Sequence, residues 1–201
     1  MASLKERIEK WKTRKLRHKI GDIIFWVFLI MMLIPGPRKA ITTGLNKAFL
    51  MLKHPSMTKE ESRITLGESD YQWNITDNKG IPVDTNSFQG EVVFLNFWAT
   101  WCPPCIAELP EIQKIYDAYG DRVKFVLISN QNPSEVEEFL NDKSYSLPIY
   151  YGGENLPEKL SVSSIPTTFI IAKDGSIVSK KTGAVNWDSK STRKIFDQLL
   201  N

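Results

Sequence analysis

The chain has two cysteines, and only two residues separate them: Cys102-Pro103-Pro104-Cys105. A thiol pair at this spacing suits thiol–disulfide exchange. Val92–Phe97 just before it is almost continuously apolar and reads as a buried strand. Ile106, Leu109, Ile112, Ile115 and Tyr116 after it recur at helical spacing. The cysteines therefore sit where a strand turns into a helix. Cys102 falls at the helix N-terminus, where unpaired N–H groups and the positive dipole end favour the thiolate and lower a thiol pKa from about 8.5. Cys105, one turn deeper, is placed to resolve a mixed disulfide formed through Cys102. Pro103 and Pro104 cost little in a first helical turn and stiffen the loop between the sulfurs. A static disulfide would close a four-residue ring and constrain the unfolded chain little. A metal site would need two more ligands, and both histidines, His18 and His54, lie outside the domain that carries the cysteines. No bound cofactor is indicated.

The surrounding pattern is α/β. Tyr71–Thr76 and Ile81–Val83 flank the turn-rich Asp77-Asn78-Lys79-Gly80 and read as a hairpin. Val123–Ile128 is a second buried strand, Pro133–Leu140 a helix, Pro148–Tyr151 a short strand and Asn155–Leu160 a helical turn. Thr167–Ala172 and Ile177–Lys181 enclose Asp174-Gly175, a strong hairpin signal, and Ser189–Leu200 closes with a helix. The order strand–CxxC–helix–strand calls for a right-handed βαβ unit within a mixed sheet.

Charge and hydropathy divide the rest. Residues 1–19 hold eight Lys/Arg against two Glu, a net +6, whereas the whole chain is +3 and residues 62–201 are −5. The basicity belongs to a tail and not to a folded basic face, which argues against a nucleic-acid partner. Ile23–Ile34 follows as twelve uninterrupted apolar residues. Extended back to Ile20, it spans about 22 Å against a hydrocarbon core of about 30 Å. Snorkelling by Arg17, Lys19 and Arg38 and local thinning would close that gap. No A-x-A cleavage site follows, only Pro35-Gly36-Pro37-Arg38-Lys39. The expectation is an uncleaved transmembrane anchor over residues 20–34, touching the lipid bilayer. The positive-inside rule puts the tail of residues 1–19 in the cytoplasm and the remainder outside. Ile41, Leu45, Ala48, Phe49 and Leu52 suggest a short amphipathic helix in a linker over 35–61, before a domain over 62–201.

Phe97-Trp98-Ala99-Thr100-Trp101-Cys102-Pro103-Pro104-Cys105 resembles the active-site segment of thioredoxin-fold proteins. Within them it is similar to the membrane-anchored thiol–disulfide oxidoreductases of the TlpA/ResA/CcmG type. The resemblance runs over about residues 70–201 and includes Ser164-Ile165-Pro166-Thr167-Thr168 and the extra helix–strand stretch between about 131 and 160. It implies a thioredoxin-like three-layer sandwich with an N-terminal hairpin and a central insertion. It implies that Pro166 is a cis-proline whose loop packs against the disulfide. Ile165 would offer its backbone to a substrate strand, with Trp101, Pro103 and Pro104 beside it. Thioredoxin carries a buried Asp where this sequence has Asn96, which cannot titrate. Glu108, one turn beyond Cys105, takes the place of a glutamate found in these relatives, and partial burial would raise its pKa for proton exchange with a thiol. Glu111 and Trp98 read as surface charge and core.

The implied activity is that of a reductase of protein disulfides at a bacterial inner membrane, its domain in the periplasm or equivalent space. The haem-binding cysteines of an apocytochrome c are a candidate substrate, and a DsbD/CcdA-type membrane protein a candidate electron donor. The same residues would serve an oxidase, because reduction potential sets the direction. A docking or chaperone module and a peroxidase are the other readings; the Trp-flanked CxxC disfavours the last.

Overall fold

The computed structural model describes residues 16–33 and 54–201. They fall in two units, Met1–Gly44 and Leu45–Asn201, each treated by itself. The basic residues 1–15, Pro35 and Pro37, and the amphipathic stretch 41–52 lie outside the described residues.

In the first unit, α1 spans Leu16–Leu33. It starts four residues before the expected anchor, so Arg17 and Lys19 join Asp22 in the helix that carries the apolar run. Among the described residues no helix is long and apolar enough to cross a membrane. Ile23–Val27 and Leu29–Met31 are exposed. Consecutive helical positions point in all directions, so α1 is apolar around its circumference there.

The second unit is built on a six-stranded sheet. Its strands are β1 (Asn74–Thr76), β2 (Val93–Phe97), β3 (Lys124–Ser129), β4 (Ile149–Glu154), β5 (Thr167–Ile171) and β6 (Ile177–Thr182). They lie in the order β1-β4-β3-β2-β5-β6. β2, β3 and β4 run parallel, while β5, β6 and β1 join antiparallel, giving the mixed sheet expected. The helices are α2 (Pro103–Tyr119), α3 (Pro133–Lys143) and α4 (Lys190–Leu200).

Alternation along β2 sorts its side chains. Phe94 faces a core shared with Leu109, Ile112 and Ile115 of α2, Val136 of α3 and Phe196 of α4. Val93, Leu95 and Phe97 face a second core with Leu66, Tyr71, Trp73, Phe88 and Leu160. This second face is covered by 3₁₀ turns (Glu68–Tyr71, Thr85–Phe88, Glu158–Leu160), so the third layer of the sandwich is thin.

The first hairpin is slighter than its pattern suggests. A single bridge, Thr76–Pro82, joins its arms, through Val83 N–H to Ile75 O (3.0 Å) and Asp77 N–H to Ile81 O (2.9 Å). Residues 54–66, read partly as linker, instead lie along β6. Thr58 N–H donates to Val178 O (2.7 Å), Ile177 N–H to Ile64 O (2.8 Å) and Leu66 N–H to Gly175 O (2.9 Å). They occupy an edge that would otherwise expose unpaired backbone groups. The second hairpin forms as expected. Gly175 has φ +82°, and a Cβ there would lie 2.9 Å from Leu66 O. Glycine is thus required for the turn and for the strap that crosses it.

Candidate active site

β2 delivers the chain to the cysteines. Trp98 N–H continues the ladder to Ile128 O at 3.0 Å, and Trp98 itself is core, as expected. The next residue but one is clamped: Thr100 N–H donates to Gln131 Oε1 at 2.7 Å, and Gln131 Nε2 donates back to Thr100 Oγ1 at 2.9 Å. Cys102 is the N-cap of α2, with Pro103 and Pro104 in the first turn. Its Sγ accepts from Cys105 N–H at 3.3 Å. A sulfur in that position meets the unpaired amides of the helix start, which is the environment that stabilises a thiolate. Cys102 and Cys105 are joined as a disulfide, their Cα atoms 5.3 Å apart. Both are buried, Cys102 at 3% exposure and Cys105 at 0%, whereas Trp101 stands out at 69%.

The Ile165–Pro166 peptide is cis. Thr167 Oγ1 donates to Ser164 O (2.7 Å), and Gly183 N–H donates to Pro166 O (2.8 Å), tying the loop to β5 and to the chain leaving β6. A cleft of about 510 Å³ runs beside this loop, with Trp101, Phe97, Ile128, Gly153, Leu156 and Ile165 among its lining. Trp101 and Ile165 therefore face the cleft; Pro103, which is exposed, and the half-buried Pro104 are not part of its wall.

Glu108 is more deeply placed than its sequence suggests, at 1% exposure. Its carboxylate accepts from Asn96 Nδ2 (3.0 Å) on Oε1, and from Val185 N–H (3.2 Å) and Trp187 Nε1–H (3.1 Å) on Oε2. Asn96 Nδ2 also donates to Thr168 Oγ1 at 2.8 Å, across the β2–β5 register. The residue that occupies the thioredoxin aspartate position thus touches the glutamate expected to replace it. Burial opposes charge on Glu108, while three N–H donors favour it. Glu111, by contrast, pairs with Lys114 at 3.1 Å on the surface.

The sequence does not single out Gln131, Val185 or Trp187, and it offers Thr168 only as part of the Pro166 segment and its strand. Gln131 and Thr168 carry no distinguishing spacing. Trp187 stands in a polar stretch between the last strand and last helix, a position where a large aromatic side chain signals burial. Its N–H partner, 79 residues away, has no local trace.

Comparison with known proteins agrees with this geometry. Residues 57–200 match the Redoxin family. The thiol-disulfide oxidoreductase ResA of Halalkalibacterium halodurans is 29% identical over 164 residues, covering 80% of this chain and 88% of that protein. ResA of Bacillus thuringiensis is 32% identical over 130 residues, covering 63% of this chain and 74% of the relative. Among solved structures, a secreted Mycobacterium tuberculosis disulfide oxidoreductase homologous to E. coli DsbE superposes with a TM-score of 0.55 at 26% identity. That match covers 65% of this chain and 99% of the other.

Proposed function

The chain belongs to the Redoxin family as a TlpA/ResA/CcmG-like thiol–disulfide oxidoreductase, and from that premise we propose that it is a membrane-tethered reductase of protein disulfides. The observation that carries this reading is the Cys102–Cys105 disulfide at the start of α2, beside a cleft walled by the Ile165 loop.

In the reducing direction Cys102 thiolate attacks a substrate disulfide. The Cys102–substrate S–S bond forms, the substrate S–S bond breaks, and the first substrate sulfur leaves as a thiolate that takes a proton from solvent. Cys105 passes its proton to the Glu108 carboxylate and attacks Cys102 Sγ. The Cys102–Cys105 bond forms, and the second substrate sulfur leaves and is protonated from Glu108. Two electrons have moved to the substrate, and the enzyme is left in the disulfide form. A membrane dithiol donor, of the DsbD/CcdA kind by resemblance, returns those two electrons. The haem-binding cysteine pair of an apocytochrome c is the specific substrate candidate, on the same resemblance.

The tether is α1. Its 18 residues span about 27 Å, and Arg17 and Lys19 belong to its first turns. Ile23–Val27 and Leu29–Met31 within it are exposed. Such a helix gains by burial in lipid. The flanking charge, eight Lys/Arg in residues 1–19, supports an orientation with the catalytic domain outside the bacterial inner membrane.

Three measurements test the reading. Cys105→Ser stops the cycle at the mixed disulfide, so affinity purification from the native host recovers covalently bound proteins released by dithiothreitol; recovering none removes the reductase of proteins. A reductase disulfide stays oxidised in glutathione buffers, whereas ready conversion to the dithiol by glutathione marks an oxidase. The full chain stays in the membrane pellet through alkaline carbonate extraction; release to the supernatant refutes the tether.

A further inference from the structure

Glu108 can move a proton reproducibly only if its oxygens keep fixed partners. One oxygen is held by Asn96 of the central strand. The other accepts from the segment after β6, from Val185 N–H at 3.2 Å and Trp187 Nε1–H at 3.1 Å. Both residues are at 0% exposure. The indole is fixed in turn by the sheet: its ring meets that of Phe94 edge-on, centroids 5.0 Å apart. Phe94 lies two residues before Asn96 on β2, so the same strand face sets both ends of the arrangement. Glu108 meets Asn96 from β2, with Thr168 of β5 behind it, and Val185 and Trp187 from the segment after β6. Cys105, the titratable residue among those named, lies three residues earlier on α2. Asp188, next to Trp187, is engaged by Arg193 at 2.5 Å and lies 4.0 Å from Lys114.

We propose that Trp187 is a positioning residue for the thiol exchange, its indole N–H keeping Glu108 in the orientation and ionisation state that accept the Cys105 proton. This rests on the proton role proposed for Glu108. The sign follows from the donor. An N–H aimed at a carboxylate favours the charged, proton-accepting form. Hydrogen bonds to charged groups are stronger than those between neutral ones. Removing the indole N–H therefore raises the proton affinity of Glu108, and the acid limb of the resolving step moves to higher pH.

The test follows reduced full-length protein in detergent micelles as glutathione disulfide converts it to the Cys102–Cys105 disulfide, across pH. Trp187→Phe is expected to move the acid limb up by about one pH unit, a roughly tenfold slower reaction at a fixed pH on that limb. Glu108→Gln is expected to remove the part of the limb that belongs to Glu108 and to leave the part due to Cys102 ionisation. The Trp187 indole N–H resonance, assigned in the wild type through its ring's contact with Phe94, is expected to titrate with the limb in the wild type and to be pH-invariant in Glu108→Gln. If Glu108→Gln alters the profile and Trp187→Phe leaves it unmoved, Trp187 only fills space; the inference is overturned and the Glu108 role stands. If Glu108→Gln leaves the profile unchanged, the Glu108 role fails and this inference with it. Should Trp187→Phe lose its folded near-ultraviolet spectrum, the wild-type indole resonance decides. Titration with the limb supports the assignment, and an invariant resonance overturns it.

Discussion

At the scale of single residues, the exchange chemistry reduces to one carboxylate and its donors. Asn96 contributes an N–H group to Glu108 Oε1 that an aspartate could not supply when ionised. Asn96→Asp would place two carboxyls in hydrogen-bond contact in a site with 0% and 1% exposure. One of them must hold a proton, so the native state binds protons more tightly than the unfolded chain there. Stability then falls as pH rises. We expect Asn96→Asp to be destabilised by about 2 kcal/mol near neutral pH, the order of a buried polar group left without its partner. Much of the loss should be regained towards pH 5. Urea midpoints at pH 5 and pH 8 check this; an unchanged difference between variant and wild type at the two values would contradict it.

At the scale of elements, short polar side chains at the ends of strands and helices set the geometry. The Cys102 cap and the Gln131–Thr100 clamp fix where α2 begins. At the far end of the sheet, Asp174 closes the β5–β6 hairpin by accepting from Ser176 Oγ (2.6 Å) and Ser176 N–H (2.9 Å). Those bonds, the hydroxyl's first, hold its carboxyl below the usual value of 3.8. Asp70 is lowered likewise, chiefly by Lys159 and then by Gly67 N–H. A carboxyl depressed in the folded state stabilises fully above its unfolded pKa, and that contribution is lost as pH falls through the folded value. The stability gap between wild type and Asp174→Asn is therefore expected to be constant above roughly pH 5 and to shrink below roughly pH 4. Both groups are close to solvent, so the gap should be small and narrower in high salt. Thermal melts from pH 2.5 to 6 measure it, and a gap that widens on acidification would reverse the assignment.

At the scale of the whole molecule, the catalytic unit depends on chain that precedes its first strand. Residues 54–66 pair with β6, and Leu66, at 6% exposure, enters the second core. Burying one leucine side chain is worth about 1.5–3 kcal/mol. Chains beginning at residue 54 should fold as stably as the full-length protein's catalytic unit. Chains beginning at residue 68 should lose at least about 2 kcal/mol and self-associate through the uncovered edge of β6. Denaturant midpoints and sedimentation of the two truncations test this, and equal behaviour would show that the strap only rests on the sheet.

Much of the fold and site could be read from sequence, because the decisive signals are local. The apolar run Val92–Phe97, the helical spacing after Cys105 and the Asp174-Gly175 turn each lie within one element, where periodicity and turn chemistry act. The cysteine pair, Pro166 and Glu108 follow from those positions and from a specific resemblance. What the tertiary structure alone decided lies across elements. Asn96 and Glu108 are 12 residues apart, Thr100 and Gln131 31, and Glu108 and Trp187 79. Each is a partnership between buried or half-buried polar groups that must be satisfied somewhere, and no spacing in the chain states where. Sequence determined which atoms could exchange a disulfide; the packing of β2, α2 and the segment after β6 decided what surrounds the carboxylate beside them.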